Sequence, residues 1–233
     1  MQRLHNKVSC PVPAHQVFKL LHGWSPFARR GQSRRRGLGR LAADRAMHCT
    51  SRMGNIILGA ILLAIAGRVD AQASATPTSV FLQAGTTGNT HGFTAGVTWD
   101  WARQWTLGGG RVTGYWEASV SEWSYLAADA RRTAWLGQVG LIPVFRYRLA
   151  GGASPWFFEA GVGLTLTTSL YETDRKRFST SFNFGDHLTV GRNFGQHSEH
   201  EWSLRLQHFS NGGIKHPNPG EDFIQLRYAY RFL

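Results

Sequence analysis

A histidine and a serine lie two residues apart near the C-terminal end of the chain, at His208 and Ser210, and an aspartate follows at Asp222. A serine hydroxyl becomes a nucleophile when a histidine takes its proton and a carboxylate orients that histidine. The stretch between Ser210 and Asp222 begins with the turn Asn211-Gly212-Gly213, whose backbone N–H groups could stabilise a developing oxyanion. These residue types predict nucleophilic catalysis, although H-x-S also occurs by chance and His208 could simply be an interfacial residue.

The segments around these residues alternate between apolar and polar positions, as β-strands do. His208 and Ser210 continue the apolar face of segment 199–210, and Asp222 continues the apolar face of the last segment. Because side chains two apart on a strand point the same way, the three polar groups are predicted to share one face. Glu221, the neighbour of Asp222, is predicted to face the opposite side.

The same alternation runs through the whole C-terminal part of the chain. It divides into eight predicted segments, at residues 79–88, 92–101, 110–124, 133–149, 155–169, 178–192, 199–210 and 222–232. Both a soluble β-sandwich and a membrane β-barrel alternate in this way. Trp and Tyr near strand ends and an alternating, aromatic C-terminus favour the barrel, together with the secretory leader described next. The sequence therefore predicts an all-β fold, an eight-stranded antiparallel transmembrane β-barrel with a side-chain-filled interior.

The N-terminal part of the chain has the pattern of a leader. An apolar run at residues 56–67 follows Arg52 and precedes Ala71-Gln72-Ala73, which is the order of a secretory signal. The run is too short for a spanning helix of about 20 residues. We therefore expect an over-called or disordered N-terminal extension at residues 1–52, a signal peptide at residues 53–73 and a barrel domain at residues 74–233.

The positive charge of the chain belongs mostly to this leader. The net charge is +12, and residues 1–73 hold twelve Lys and Arg against Asp44 and Asp70 alone, which leaves the predicted barrel at +2. A nearly neutral domain gives no case for nucleic-acid binding. Cys10 and Cys49 both lie in the leader, so the predicted barrel has no disulfide, thiolate metal site or thiol nucleophile.

The stretch from His208 to Asp222, HFSNGGIKHPNPGED, precedes a short closing strand that ends in Tyr-Arg-Phe. It resembles the C-terminal signature of the PagL family, the lipid A 3-O-deacylases of Gram-negative outer membranes, and the specific likeness covers residues 205–232. The resemblance implies an eight-stranded barrel with a Ser-His-acid triad on its exterior, near the outer leaflet, and the triad calls for no metal or cofactor. It implies that His208 is the base and Ser210 the nucleophile. It also implies that the N–H groups of Asn211 and Gly213 stabilise the oxyanion.

The acid of the triad has two candidates. The family typically has a Glu, and this chain has Glu221 next to Asp222. A gapless match from Ser210 lands on Asp222, which also shares the predicted face of His208. Glu221 stays the alternative acid, since a register shift of one residue would exchange the two faces.

The resemblance implies hydrolysis of the ester-linked 3-O acyl chain of lipid A in the outer leaflet, with release of a 3-hydroxy fatty acid. The expected location is the outer membrane of a Gram-negative bacterium. The expected partners are lipid A, or lipopolysaccharide, and the membrane itself, with homodimerisation left open. The alternatives are a non-enzymatic small barrel with a structural or adhesion role and a phospholipase that uses the same triad.

Two further polar groups could bind ligands. His197 and His200 have the spacing of a metal-binding pair, but residues three apart on a strand face opposite sides, so a polar loop is expected. The run Arg175-Lys176-Arg177 could be a solvated turn or could contact lipopolysaccharide phosphates, and the sequence leaves both open. Interior ion pairs rather than catalysis are expected for Arg146, Arg148, Arg205, Arg227 and Glu159.

Overall fold

The computed structural model describes residues 76–129 and 132–232 of the chain. These residues form nine β-strands and a single 3-10 turn at Ala150–Gly152. The strands are β1 (Ser79–Thr87), β2 (Thr90–Asp100), β3 (Trp105–Leu107), β4 (Gly110–Leu126), β5 (Thr133–Arg148), β6 (Trp156–Thr167), β7 (Phe182–Phe194), β8 (His200–Ser210) and β9 (Glu221–Arg231). The predicted extension and signal peptide, residues 1–73, lie outside the described residues. No helix in the described ranges is long and apolar enough to cross a membrane.

Eight of these strands close into an antiparallel barrel. From β4 to β9 each strand pairs with the next, β9 pairs with β1, and β1 pairs with β2. The ring closes where β2 pairs with β4, from Thr90 opposite Tyr125 to Asp100 opposite Tyr115. The predicted eight-stranded barrel is therefore confirmed. The additional strand β3 lies along β4 beyond the end of β2 and was not predicted, because three residues are too few to show alternation.

The two faces of the sheet differ sharply in polarity. Exposed large apolar side chains lie on the exterior of every strand in the ring, with Leu188 66% exposed and Val120 61% exposed. The interior holds buried charged and amide side chains. A soluble sandwich would place its apolar face inside, so this arrangement is that of a membrane barrel.

The predicted interior ion pairs are confirmed. Both oxygens of the Glu117 carboxylate are occupied, since Oε1 lies 2.8 Å from Arg205 and Oε2 lies 2.5 Å from Arg227. Arg146 contacts Glu159 and Glu201 in the same way. Arg148 lies 3.8 Å from Glu201 at the edge of this network. Because these charges neutralise one another inside the barrel, they are structural rather than catalytic.

We call the end of the barrel where β8 stops and β9 starts the upper end. Its interior is filled by an aromatic cluster that consists of Trp123, Tyr125, Leu136, Tyr171, Phe178, Phe209 and Phe223. Tyr171 and Phe178 come from the β6–β7 loop, residues 168–181, which folds over the barrel mouth. Burial raises the pKa of Tyr171, whose hydroxyl lies 2.7 Å from Thr90 Oγ1. The sixth predicted segment began at residue 178, but β7 begins at Phe182 because Phe178 packs into this cluster instead.

Candidate active site

His208 of β8 and Asp222 of β9 lie directly opposite each other on the outer face of the barrel. His208 Nδ1 lies 2.6 Å from Asp222 Oδ1, within hydrogen-bond distance. The Asp222 side chain is 81% exposed and the His208 side chain 38% exposed. An ionised carboxylate can only accept, so Nδ1 is the donor in this contact, and in a neutral imidazole Nε2 is then the proton acceptor. The geometry is that of a base held in one orientation by an acid.

Glu221, the alternative acid, faces the interior and is buried. Its Oε1 accepts hydrogen bonds from Thr87 Oγ1 at 2.7 Å and from Lys176 Nζ at 3.0 Å. The carboxylate therefore connects the start of β9 to the end of β1 and to the β6–β7 loop. Only Asp222 of the two acids reaches the imidazole of His208.

Ser210 is the last residue of β8 and lies on the same outer face as His208. Positions two apart on a strand are separated by about 7 Å, so side-chain rotation can bring Ser210 Oγ towards His208 Nε2. Nε2 forms no hydrogen bond with any residue that the structure describes, and Ser210 is half-exposed. The serine, the histidine and Asp222 are therefore grouped at the upper edge of the lipid-facing surface.

The turn after Ser210 is held by its own asparagine side chains. The N–H of Asn211 donates to Asn218 Oδ1 at 3.0 Å, and the N–H of Gly213 donates to Asn211 Oδ1 at 2.9 Å. Both N–H groups that the resemblance implies for the oxyanion thus have side-chain acceptors in this structure. The Gly212 N–H, which lies between them, donates to no acceptor in the described part of the chain. The turn therefore holds three N–H groups beside the serine.

A second carboxylate lies next to the imidazole. Asp186 of β7 is paired with His208 of β8, which is itself paired with Asp222 of β9. The histidine therefore lies between two acids, one on each neighbouring strand. Asp186 occupies an outward position between Phe184 and Leu188. Asp186 is not among the site residues predicted from the sequence, although a charged residue on an apolar strand face is the same signal that indicates Asp222.

Apolar side chains surround these polar groups on the barrel exterior. Leu206 and Ile224 face each other two residues along from His208 and Asp222, with 59% and 49% of their surface exposed. On the other side of the serine, the rings of Phe182 and Phe184 lie 5.2 Å apart. An apolar surface on the barrel exterior therefore extends up to the serine.

The run Arg175-Lys176-Arg177, for which the sequence leaves both a solvated turn and a phosphate contact open, forms ion pairs with nearby acids. Lys176 points to Glu221, Arg175 lies 3.6 Å from Asp174, and Arg177 lies 3.7 Å from Glu172.

The paired histidines lie at the opposite end of the barrel from Ser210. His200 Nδ1 lies 2.8 Å from the Tyr228 hydroxyl, and the N–H of His197 donates to Glu199. Among residues 76–129 and 132–232, no group of three or more His, Cys, Asp or Glu side chains is placed to hold a metal ion.

Comparison with known proteins identifies the family of the chain. A family model described as lipid A 3-O-deacylase (PagL) matches residues 91–231. The protein named lipid A deacylase PagL from Bordetella bronchiseptica is 37% identical over 132 residues, which is 57% of this chain and 70% of that protein. The protein of the same name from Pseudomonas aeruginosa is 33% identical over 159 residues, which is 67% of this chain and 87% of that protein.

A solved structure also matches the fold. The crystal structure of the outer membrane enzyme PagL has a TM-score of 0.56 and 29% sequence identity, and the match covers 66% of this chain and 99% of that one. The region matched by the family model runs from β2 to the end of β9 and contains His208, Ser210 and Asp222. The chain is a member of the PagL family of lipid A 3-O-deacylases, built as an eight-stranded barrel of the outer membrane.

Proposed function

We propose that the protein hydrolyses the ester-linked 3-O acyl chain of lipid A with a Ser210-His208-Asp222 triad on the exterior of the barrel. The observation that carries this proposal is the hydrogen bond of 2.6 Å between His208 Nδ1 and Asp222 Oδ1. This bond lies on the outer face of the barrel, near the end of β8 at Ser210. Charged groups on a lipid-facing surface are costly, so a carboxylate–imidazole pair there supports a catalytic use. The names of the related proteins support lipid A as the substrate.

In the proposed reaction, Ser210 Oγ forms a bond to the ester carbonyl carbon while its proton passes to His208 Nε2. Asp222 holds the imidazole and stabilises the imidazolium that forms. The bond between the carbonyl carbon and the sugar O3 then breaks, and O3 takes the proton from His208. Water attacks the acyl-enzyme with His208 as base, which releases a 3-hydroxy fatty acid and restores the Ser210 hydroxyl.

We assign the oxyanion to the turn at Asn211–Gly213. The N–H groups of Asn211 and Gly213 donate to the side-chain carbonyls of Asn218 and Asn211, and in this assignment they exchange these acceptors for a negatively charged oxygen. Among the described residues, the Gly212 N–H has no such partner to give up. Removal of one oxyanion-hole donor costs about 3–4 kcal/mol of transition-state stabilisation in acyl-transfer enzymes.

The position of the site defines how substrate arrives. Lipid A lies in the outer leaflet, so a serine on the barrel exterior can be reached by diffusion in the membrane plane. The apolar side chains of Leu206 and Ile224 would contact the acyl chain while the sugar stays at the membrane surface. An exterior site of this kind needs no channel through the barrel wall.

The test is incubation of purified lipid A with the refolded protein, followed by mass spectrometry. Loss of one hydroxyacyl chain from lipid A and appearance of the free 3-hydroxy fatty acid are expected. Phospholipids in the same micelles should survive. Intact lipid A after incubation with a folded barrel would favour a structural or adhesion protein. Cleavage of the phospholipids instead would favour a phospholipase that uses the same triad.

A further inference from the structure

The cations beside Ser210 are not equivalent. The β6–β7 loop and the β8–β9 loop, residues 211–220, together hold four Lys and Arg side chains. Arg175, Lys176 and Arg177 each form an ion pair with a carboxylate. Lys215 is exposed and forms no ion pair with any carboxylate that the structure describes. Its ammonium group is therefore available to an anion from outside the chain.

The backbone of Lys215 is anchored to the turn that follows the nucleophile. Its carbonyl oxygen accepts hydrogen bonds from Asn211 Nδ2 at 2.8 Å and from Ser179 Oγ at 3.0 Å. Asn211 is 1% exposed and follows Ser210 directly in sequence. The N–H of Ile214 also donates to the Asn211 carbonyl at 3.1 Å. The base of the lysine side chain is thus fixed relative to the serine.

The residue before Lys215 is apolar and exposed. Ile214 is 63% exposed, although it belongs to a loop in which the other residues are polar, Gly or Pro. An exposed apolar side chain beside an exposed lysine is typical of the membrane interface, where the apolar group enters the acyl region and the ammonium reaches the phosphate level. This pair of residues is therefore the pattern expected of a loop at the depth of lipid headgroups.

We propose that Lys215 binds a phosphate group of a lipid headgroup while Ser210 engages the ester, an inference that rests on the function proposed above. Lipid A is a phosphorylated glucosamine disaccharide, and its 1-phosphate and 3-O ester belong to the same sugar. A lysine anchored next to the nucleophile can therefore contact this phosphate and orient the sugar. The phosphate of a neighbouring lipid offers the same chemistry, and the experiment separates the two sources.

The experiment compares lipid A that carries both phosphates with lipid A that lacks the 1-phosphate, in nonionic micelles without other phosphates. The variants are Lys215→Gln, Lys215→Arg and, as the control, the loop cation change Arg175→Gln. On the phosphorylated substrate, Lys215→Gln should raise KM about fivefold, which is the order expected for one cation at an anionic lipid surface. It should leave kcat nearly unchanged, and Lys215→Arg should restore KM. On the 1-dephosphorylated substrate, Lys215→Gln should not change KM. The control Arg175→Gln should not change KM on either substrate.

Binding is measured in parallel in the Ser210→Ala background, where no chemistry is needed. There Lys215→Gln should raise the Kd for phosphorylated lipid A about fivefold. If the effect of Lys215→Gln appears only after phosphatidylglycerol is added to the micelles, the ligand is the phosphate of a neighbouring lipid. Equal losses on both substrates would overturn the proposal. So would an unchanged KM and Kd for phosphorylated lipid A, both without and with added phosphatidylglycerol. Absence of any deacylation by the wild-type chain would refute the proposed function, while the binding measurement still decides the role of Lys215.

Discussion

Gly220 lies against the imidazole of His208, so closely that a β-carbon at residue 220 would be 2.6 Å from His208 Cε1. Gly220 also has a φ of +67°, a conformation that residues with a side chain rarely adopt. The residue two positions before Asp222 therefore has to be a glycine for the histidine to occupy its observed place.

The change Gly220→Ala should lower kcat by at least tenfold, because the added methyl group displaces His208 from Asp222. The backbone strain alone costs about 1–2 kcal/mol of stability. The control is Gly88→Ala, since Gly88 has a φ of +51° with no atom near its missing β-carbon. Kinetics on lipid A and thermal unfolding of both variants check this. Full activity of Gly220→Ala would show that the observed position of His208 is not needed.

Ser210→Ala and His208→Ala should each reduce kcat by about 10³-fold or more, because the nucleophile and its base work as one unit. For the same reason the double variant should be barely slower than either single variant. Release of 3-hydroxy fatty acid gives the rate, and heat-modifiable migration on gels shows that the barrel is folded. Partial losses that multiply in the double variant would mean that these residues do not form a nucleophile–base pair.

Asp222→Asn should cause a large loss of kcat that stays smaller than that of Ser210→Ala, since the imidazole keeps its place but loses its acidic partner. Glu221→Gln should leave kcat nearly intact. It should lower the unfolding temperature instead, because Glu221 accepts hydrogen bonds from Thr87 and Lys176 inside the barrel. Activity and melting measured on both variants separate the two roles. A damaged kcat in Glu221→Gln with normal activity in Asp222→Asn would exchange the assignments.

Glu117→Ala should destabilise the barrel by about 3–5 kcal/mol, because it leaves Arg205 and Arg227 as buried charges without an acid. Glu122→Ala is the matched control on the same strand, where the glutamate is exposed. Urea unfolding of the refolded variants in detergent measures the difference. Equal stability of the two variants would show that the interior charges are solvated rather than paired.

The local pattern was enough to predict the barrel and the face on which the candidate catalytic residues lie. Alternation depends only on the period of two of a strand, so it predicted the eight long strands and the outward face of His208, Ser210 and Asp222. The same rule separated Asp222 from Glu221 before any pairing was known. It failed for Phe178, which continues a strand-like pattern but belongs to a loop that packs into the barrel mouth.

The tertiary structure decided which residues of different strands contact one another. Strand alternation says which way a side chain points but not which residue lies beside it, since pairing joins positions far apart in sequence. Only the register of β7, β8 and β9 shows that Asp186 and Asp222 flank His208 and that Asp222 forms the hydrogen bond. Loop geometry likewise follows from contacts between loops. The anchoring of Lys215 by Asn211 and Ser179 therefore became visible only in the folded chain.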